Sequence, residues 1–334
     1  MKINFKITTE CPANCRCCQE RLNNFKFNSE HLSRDKHVYE KILRLFLESG
    51  DAENSISITG GEPSIIPELP EIVGMFTKEG IRVGVDTNGW NVSEEWLSAM
   101  QQAHLDYILF SFYSRNKKVF DTLRGSEDTE LFFRASKAIS ALKKMKEAGG
   151  TIQVRQQVTL MKANYKELPE LLGLALDNHF DAFSTAYYIS ASEDPENSLD
   201  EEDIIYLKNI VVKQLISIIV ENGMNKALVD KNIARLAHFY EFEDVSISRI
   251  AQGYYRKTGD MCYERNKLII YPNGDLVPCT GFDYIMNKTS FINVMHADYK
   301  QIMESPLFAN FWDKSFPLCE RCSSGHQIWL DLKR

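Results

Sequence analysis

Residues 10–20 read ECPANCRCCQE and set Cys11, Cys15, Cys17 and Cys18 in one short run near the start of the chain. The run follows INFKITT (3–9), where Ile3, Phe5 and Ile7 alternate with polar residues as a half-buried strand requires. The cysteines therefore sit just past the end of a first strand. Disulfide, zinc and iron–sulfur chemistry are the candidates for such a cluster, and the rest of the chain must choose among them.

The alternation continues outward from that point. DKHVYEKILRLFLESG (35–50) spaces Val38, Ile42, Leu45 and Phe46 as one face of a helix that stops at Gly50. SISIT (55–59), IRVGVD (81–86), DYILFSF (106–112), TIQVRQQVTL (151–160) and DAFSTAYYIS (181–190) read as further strands. The helices between them carry Leu69, Ile72, Val73 and Phe76, then Trp96, Leu97 and Met100 behind the N-cap Ser93. The next two carry Leu131 to Leu142 and Leu168 to Ala175. Six strand–helix repeats with right-handed crossovers make a parallel sheet, an α/β fold of partial (β/α)6 barrel type.

After residue 190 the pattern changes. ASEDPENSLDEED is an acidic junction into one long helix, IIYLKNIVVKQLISIIVENG (204–223); residues 226–258 are rich in aromatics and carry no clear period. LIIYPNGDLVPC (268–279) reads as a hairpin turning at Asn273-Gly274. The expected organisation is a barrel over 1–190, a helical connecting segment over 191–258 and a small hairpin-and-helix module over 259–334.

Composition excludes several classes. The chain has 334 residues, 44% apolar and 25% charged, with a net charge of −7. That is the make-up of a globular protein with a full core, and its acidic balance opposes nucleic-acid binding. No apolar run reaches the ~18 residues of a membrane span, and MKINFKITTECPANC lacks a secretory apolar core. A cytoplasmic setting is expected, in which thiols stay reduced, and disulfides drop out.

The unusual residues fall after successive strands. TGGEP (59–63) follows the second strand, DTNGW (86–90) the third, Ser111 ends the fourth and Gln156 lies on the fifth. Chemistry in β/α barrels collects on that rim. C-x3-C-x2-C after the first strand with G-G-E-P after the second resembles the radical S-adenosylmethionine superfamily over residues 1 to about 190. The resemblance implies that Cys11, Cys15 and Cys18 bind three irons of a [4Fe–4S] cluster, leaving the fourth for S-adenosylmethionine. An odd ligand count suits that use, since a fourth thiolate would close the cube. It also implies cofactor contacts at Gly60, Gly61, Glu62, Pro63, Thr87, Ser111 and Gln156. Gln156 stands where many relatives place Asn. Cys17 occupies a position usually aromatic, beside the adenine; it reads as a small apolar filler, with a catalytic thiol as the alternative. FDTLRG (120–125) matches a stretch in which an acidic residue and an arginine order the rim, and Arg124 equally reads as a helix-surface charge.

The other four cysteines lie far downstream, at Cys262, Cys279, Cys319 and Cys322. Their spacing alone suits a four-thiolate zinc site or an iron–sulfur cluster equally. The arrangement resembles the twitch module, a short relative of the SPASM extension, which implies a second, auxiliary [4Fe–4S] cluster. The seven histidines show no paired ligand spacing.

The expected function is generation of a 5′-deoxyadenosyl radical that takes hydrogen from an unactivated carbon. A flavodoxin- or ferredoxin-type protein is the expected electron donor. By family precedent the substrate is a peptide, with a sugar or aminocyclitol as the alternative and a zinc-binding module as the non-enzymatic one. Counting thiols leaves only Cys17 unassigned, on the face from which hydrogen is taken. That favours net two-electron oxidation, a crosslink or a dehydrogenated carbon, over epimerisation.

Overall fold

The structure is a computed structural model that describes residues 1–18, 36–125, 130–187, 194, 196–241, 267–279, 292–309 and 327–332. The domain boundaries expected at 190 and 258, the aromatic stretch 242–258, and Cys262, Cys319 and Cys322 lie outside these residues.

The six expected strands form, as β1 (Lys2–Thr8), β2 (Ser55–Gly60), β3 (Arg82–Thr87), β4 (Tyr107–Ser111), β5 (Gln153–Leu160) and β6 (Ala182–Tyr187). All pair in parallel with their sequence neighbours. Helices α1 (Lys36–Ser49), α2 (Leu69–Thr77), α3 (Glu94–Gln102), α4 (Lys117–Arg124), α5 (Glu130–Glu147) and α6 (Leu168–Asp177) supply the crossovers. Their apolar stripes bury Val38, Ile42, Phe46, Val73, Phe76, Leu97, Leu131 and Leu172 against one face of the sheet, where Phe5, Ile58, Val85, Phe110 and Val154 are also fully enclosed. Each such side chain contributes about 1.5–3 kcal/mol relative to exposure.

The opposite, concave face is polar. Strand register sets Asn4 and Lys6 beside Ser57 and Thr59, and sets Leu109 between Asp86 and Arg155. Thr59 donates to Asn4 at 2.8 Å and Ser57 to Asp86 at 3.0 Å. An ordinary closed barrel fills this space with Val, Ile and Leu; a polar lining is suited to a ligand chamber.

Two features extend the expected plan. The segment 201–221 is helical but not uniformly so: α7 (Glu201–Tyr206) passes through a π-turn (Leu207–Val211) into α8 (Val212–Glu221). A further helix, α9 (Lys226–Glu241), occupies the first half of the stretch without a readable period. The hairpin forms as β7 (Lys267–Ile270) and β8 (Asp275–Val277), with Gly274 at φ +85° in its turn, and β9 (Ile292–Asn293) adds to it before the short helix α10 (Tyr299–Met303). β7 pairs in parallel with β1, so hairpin and barrel share one sheet. At the far edge β10 (Gln327–Asp331) runs antiparallel to β6, giving the ten-strand order β10-β6-β5-β4-β3-β2-β1-β7-β8-β9.

Candidate functional site: a cysteine loop clamped at the strand ends

The cysteine loop leaves β1 at Thr8, where the pairing with β2 shifts register between Lys6 and Thr8. The Ala13 N–H donates to the Cys11 sulfur at 3.4 Å, and the Cys18 N–H to the Cys15 carbonyl at 3.1 Å. The loop therefore curls back on itself.

Two neighbouring loops press on it. Gly60, at φ +127°, has no room for a side chain: a Cβ there would lie 2.4 Å from the Thr8 carbonyl oxygen. A Cβ on Gly61 would lie 2.0 Å from the Glu10 carbonyl oxygen. The Gly61 N–H donates to Thr8 O at 2.6 Å and the Glu62 N–H to Glu10 O at 2.8 Å. The glycine pair is thus required for the backbone of the second loop to lie against the cysteine loop.

Glu62 turns inward and is 1% exposed. Its carboxylate accepts from Ser64 N at 3.0 Å, Thr87 Oγ1 at 2.5 Å and Asn88 N at 2.7 Å. Burial raises its pKa, and the bonds from Thr87, Asn88 and Ser64 pull it back. Thr87 Oγ1 also accepts from Gly89 N at 3.0 Å. Both side chains are spent holding the second and third loops together. Asn88, brought forward by that link, donates through Nδ2 to the Cys11 sulfur at 3.6 Å.

The third support comes from α4. Its N-cap Asn116 accepts from Lys118 N and Val119 N, and its end is set by Gly125 at φ +56°. The last-turn carbonyls, which have no partner within a helix, accept from the loop instead. Asn14 N donates to Arg124 O at 2.8 Å, Arg16 N to Leu123 O at 3.0 Å and Arg16 Nε to Thr122 O at 3.2 Å. Arg124 is no surface charge: it is 3% exposed, and its Nη1 donates to the Cys15 sulfur at 3.2 Å. Its Nη2 donates to the Ser111 carbonyl, which ties the end of β4 to the same corner.

Cys17 packs against the core. Burial pushes its thiol up to about 12, with Cys15 adding to the rise, so it stays protonated. Gln156 stands apart from the other expected residues. Register aligns it with Phe110 and Phe183 on the helix-covered face, whereas Gln157 aligns with Ser111 and Ser184. Gln156 Nε2 donates to Phe112 O at 3.2 Å, and its buried Oε1 has no hydrogen-bond partner among the described residues. Cys279 is half-buried at the end of the hairpin, and of the four downstream cysteines it is the one among the described residues.

Sequence reasoning passed over the concave-face charges. Asp86 accepts from Ser57, and burial raises its pKa to about 6 against the pull of that hydroxyl and of the Lys267 and Arg155 charges. Arg155 stacks on the Tyr107 ring at 4.0 Å, and Lys6 lies 4.9 Å from the Tyr271 ring centre. The signal was the polar residue at every second position of β1, β2 and β5, which marks a second face lined for a ligand rather than packed.

Soft thiol donors in one short loop, with N–H groups aimed at the Cys11 and Cys15 sulfurs, are the donor chemistry that suits iron–sulfur binding. The chain belongs to the radical SAM superfamily: the model of that superfamily matches residues 5–175, and the SPASM iron–sulfur cluster-binding domain matches residues 262–324. The family brings S-adenosylmethionine and a [4Fe–4S] cluster to the first domain and further iron–sulfur binding to the second. The chain is 24% identical to a tungsten-containing aldehyde ferredoxin oxidoreductase cofactor-modifying protein of Pyrococcus furiosus, over 95% of this chain and 86% of that one. It is 22% identical to the PqqA peptide cyclase of Gluconobacter oxydans, over 98% and 84%. Its fold matches the crystal structure of Streptococcus suis SuiB bound to precursor peptide SuiA, with TM-score 0.66 and 18% identity over 96% of this chain and 70% of that one. Among the described residues no helix is long and apolar enough to cross a membrane.

Proposed function

We propose that this chain is a peptide-modifying radical S-adenosylmethionine enzyme that oxidises its substrate, with Cys11, Cys15 and Cys18 as the ligands of the cluster that meets the cofactor. The observation that carries the reading is the bracing of the cysteine loop by the Gly60-Gly61 backbone on one side and the end of α4 on the other. Ligand thiols must be deprotonated, and binding the metal releases the proton; N–H groups lie at the Cys11 and Cys15 sulfurs. Three thiolates leave one iron open. Bound there, the cluster and S-adenosylmethionine supply a carbon radical able to take hydrogen from an unactivated carbon.

The chain's own residues position and enclose. The backbone of Gly60, Gly61 and Pro63 and the Ser111 side chain line the rim where the cofactor's methionyl and ribose groups are to be held. Glu62 and Thr87 act one step back, by fixing those loops. Cys17 fills space beside the cluster. The polar concave face, with Asp86, Arg155 and Lys6, receives the substrate and excludes stray hydrogen donors. Cys262, Cys279, Cys319 and Cys322 hold one auxiliary cluster as the electron outlet, and a flavodoxin- or ferredoxin-type protein supplies the first electron. The peptide class is supported by the relative named as a peptide cyclase, which aligns along nearly the whole chain.

The test is anaerobic reconstitution followed by assay of 5′-deoxyadenosine and of product mass. Changing Cys11, Cys15 or Cys18 to Ala should abolish cofactor cleavage and leave auxiliary iron bound; wild-type cleavage by any of them overturns the ligand assignment. Changing Cys279 to Ala should spare cleavage and stop product formation. A peptide product two hydrogens lighter is expected. An unchanged mass with one deuterium gained in heavy water would establish epimerisation instead.

A further inference from the structure

Arg124 is enclosed by Cys15, Tyr113, Phe120 and the end of β4. Its guanidinium stacks 4.1 Å from the Tyr113 ring centre and 5.4 Å from that of Phe120. The carboxylate one turn back, Asp121, is taken by Lys117 at 2.5 Å. A buried cation costs several kcal/mol unless an anion or a full set of acceptors compensates it. Here the contacts are one carbonyl, two aromatic faces and one sulfur, and Nε has no hydrogen-bond partner among the described residues. Once Cys15 ligates the cluster, its sulfur supplies the negative charge that faces this cation.

An anionic sulfur that is also a cluster ligand changes what the contact does. Hydrogen bonds to ligand sulfurs and the local charge are among the quantities that set an iron–sulfur potential. Reduction adds one negative charge to the cluster, and a cation held 3.2 Å from one ligand favours that state. Arginine cannot lose its proton in a protein, so the effect persists across the working pH range. The Cys11 sulfur receives neutral donors, the Ala13 N–H at 3.4 Å and the Asn88 amide at 3.6 Å, which concentrates the charge effect at the Cys15 corner.

We propose that Arg124 is the residue that sets the reduction potential of the N-terminal cluster, through its charged hydrogen bond to Cys15, while its backbone carbonyl holds the cysteine loop. The proposal rests on Cys15 being a cluster ligand.

The experiment is a redox titration of the anaerobically reconstituted full chain, followed by electron paramagnetic resonance of the signal that changes on adding S-adenosylmethionine. In Arg124→Gln the midpoint should move to lower potential, and Arg124→Lys, which keeps the charge without the fork, should restore part of the shift. An unchanged midpoint in a cluster-loaded Arg124→Gln protein overturns the proposal, since a purely structural role would lower cluster content and leave the potential alone. If that variant fails to load, Arg16→Lys protein carrying guanidino-15N arginine decides the matter. A 15N hyperfine coupling to the reduced cluster supports the contact, and its absence overturns it. If the wild-type chain gives no cofactor-sensitive signal, the ligand assignment fails and the proposal fails with it.

Discussion

The Thr87 hydroxyl lies 2.5 Å from Glu62 Oε1 and joins the loop after β2 to the loop after β3. Glu62 accepts three bonds in all, which only a carboxylate can do, because an amide offers one oxygen and an N–H2 that would face a donor. Glu62→Gln should lower the unfolding free energy by about 1–3 kcal/mol, read from urea denaturation. Asn88 is carried on the same link, so the variant should also bind less iron. Wild-type stability and iron content together would show that the carboxylate is not the clamp.

The two glycines make a sharper prediction. Gly61→Ala sets a methyl against the Glu10 carbonyl and should cost about 2–4 kcal/mol, with loss of iron from the first site. Gly80 is the control. It has φ +73° and open space around its missing side chain. Gly80→Ala should cost only about 1–2 kcal/mol of backbone strain and leave iron content unchanged. Equal iron loss in both would mean that cluster loading follows global stability and not the fit of the two loops.

Asp86 predicts a pH dependence. Its folded pKa of about 6 lies above the ordinary 3.8. Between those values the folded chain holds a proton that the unfolded chain has released, so this group lowers stability as pH rises from about 4 to about 7. Asp86→Asn lacks that loss. The variant should gain on the wild type by about 2–3 kcal/mol between pH 4 and pH 7. A stability difference that stays flat over this range would contradict a half-buried, proton-holding carboxylate.

The β/α order was readable because each strand and helix shows its own period within a few residues. So was the rim, because cysteine runs and paired glycines are conspicuous wherever they fall. What escaped depends on distant partners. Arg124 looks like a solvated helix end in sequence, and its burial follows from contact with Cys15, far earlier in the chain. Gly60 and Gly61 read as cofactor-facing, yet they also make close contact with the backbone of Thr8 and Glu10. β10 has its partner on β6, and α9 has a buried Asn232 where an apolar stripe would have marked the helix.

That Asn232 supports another prediction. Its amide donates to the Asp331 carbonyl at 2.8 Å and its oxygen accepts from Asp331 N at 3.1 Å, fastening β10 to α9. Asn232→Ala should cost about 2–4 kcal/mol, since two buried backbone groups lose their partners. Hydrogen exchange at residues 328–331 should quicken more than in β2; equal protection of both strands would remove the fastening role.

The central claim is that the N-terminal thiols hold a cluster with one iron open to S-adenosylmethionine. Electron paramagnetic resonance of the dithionite-reduced Cys279→Ala protein, recorded with and without the cofactor, tests it most directly. The account predicts a [4Fe–4S] signal that shifts on addition of S-adenosylmethionine and disappears when Cys15 is also changed to Ala. A reduced cluster whose spectrum is the same with and without the cofactor would contradict it.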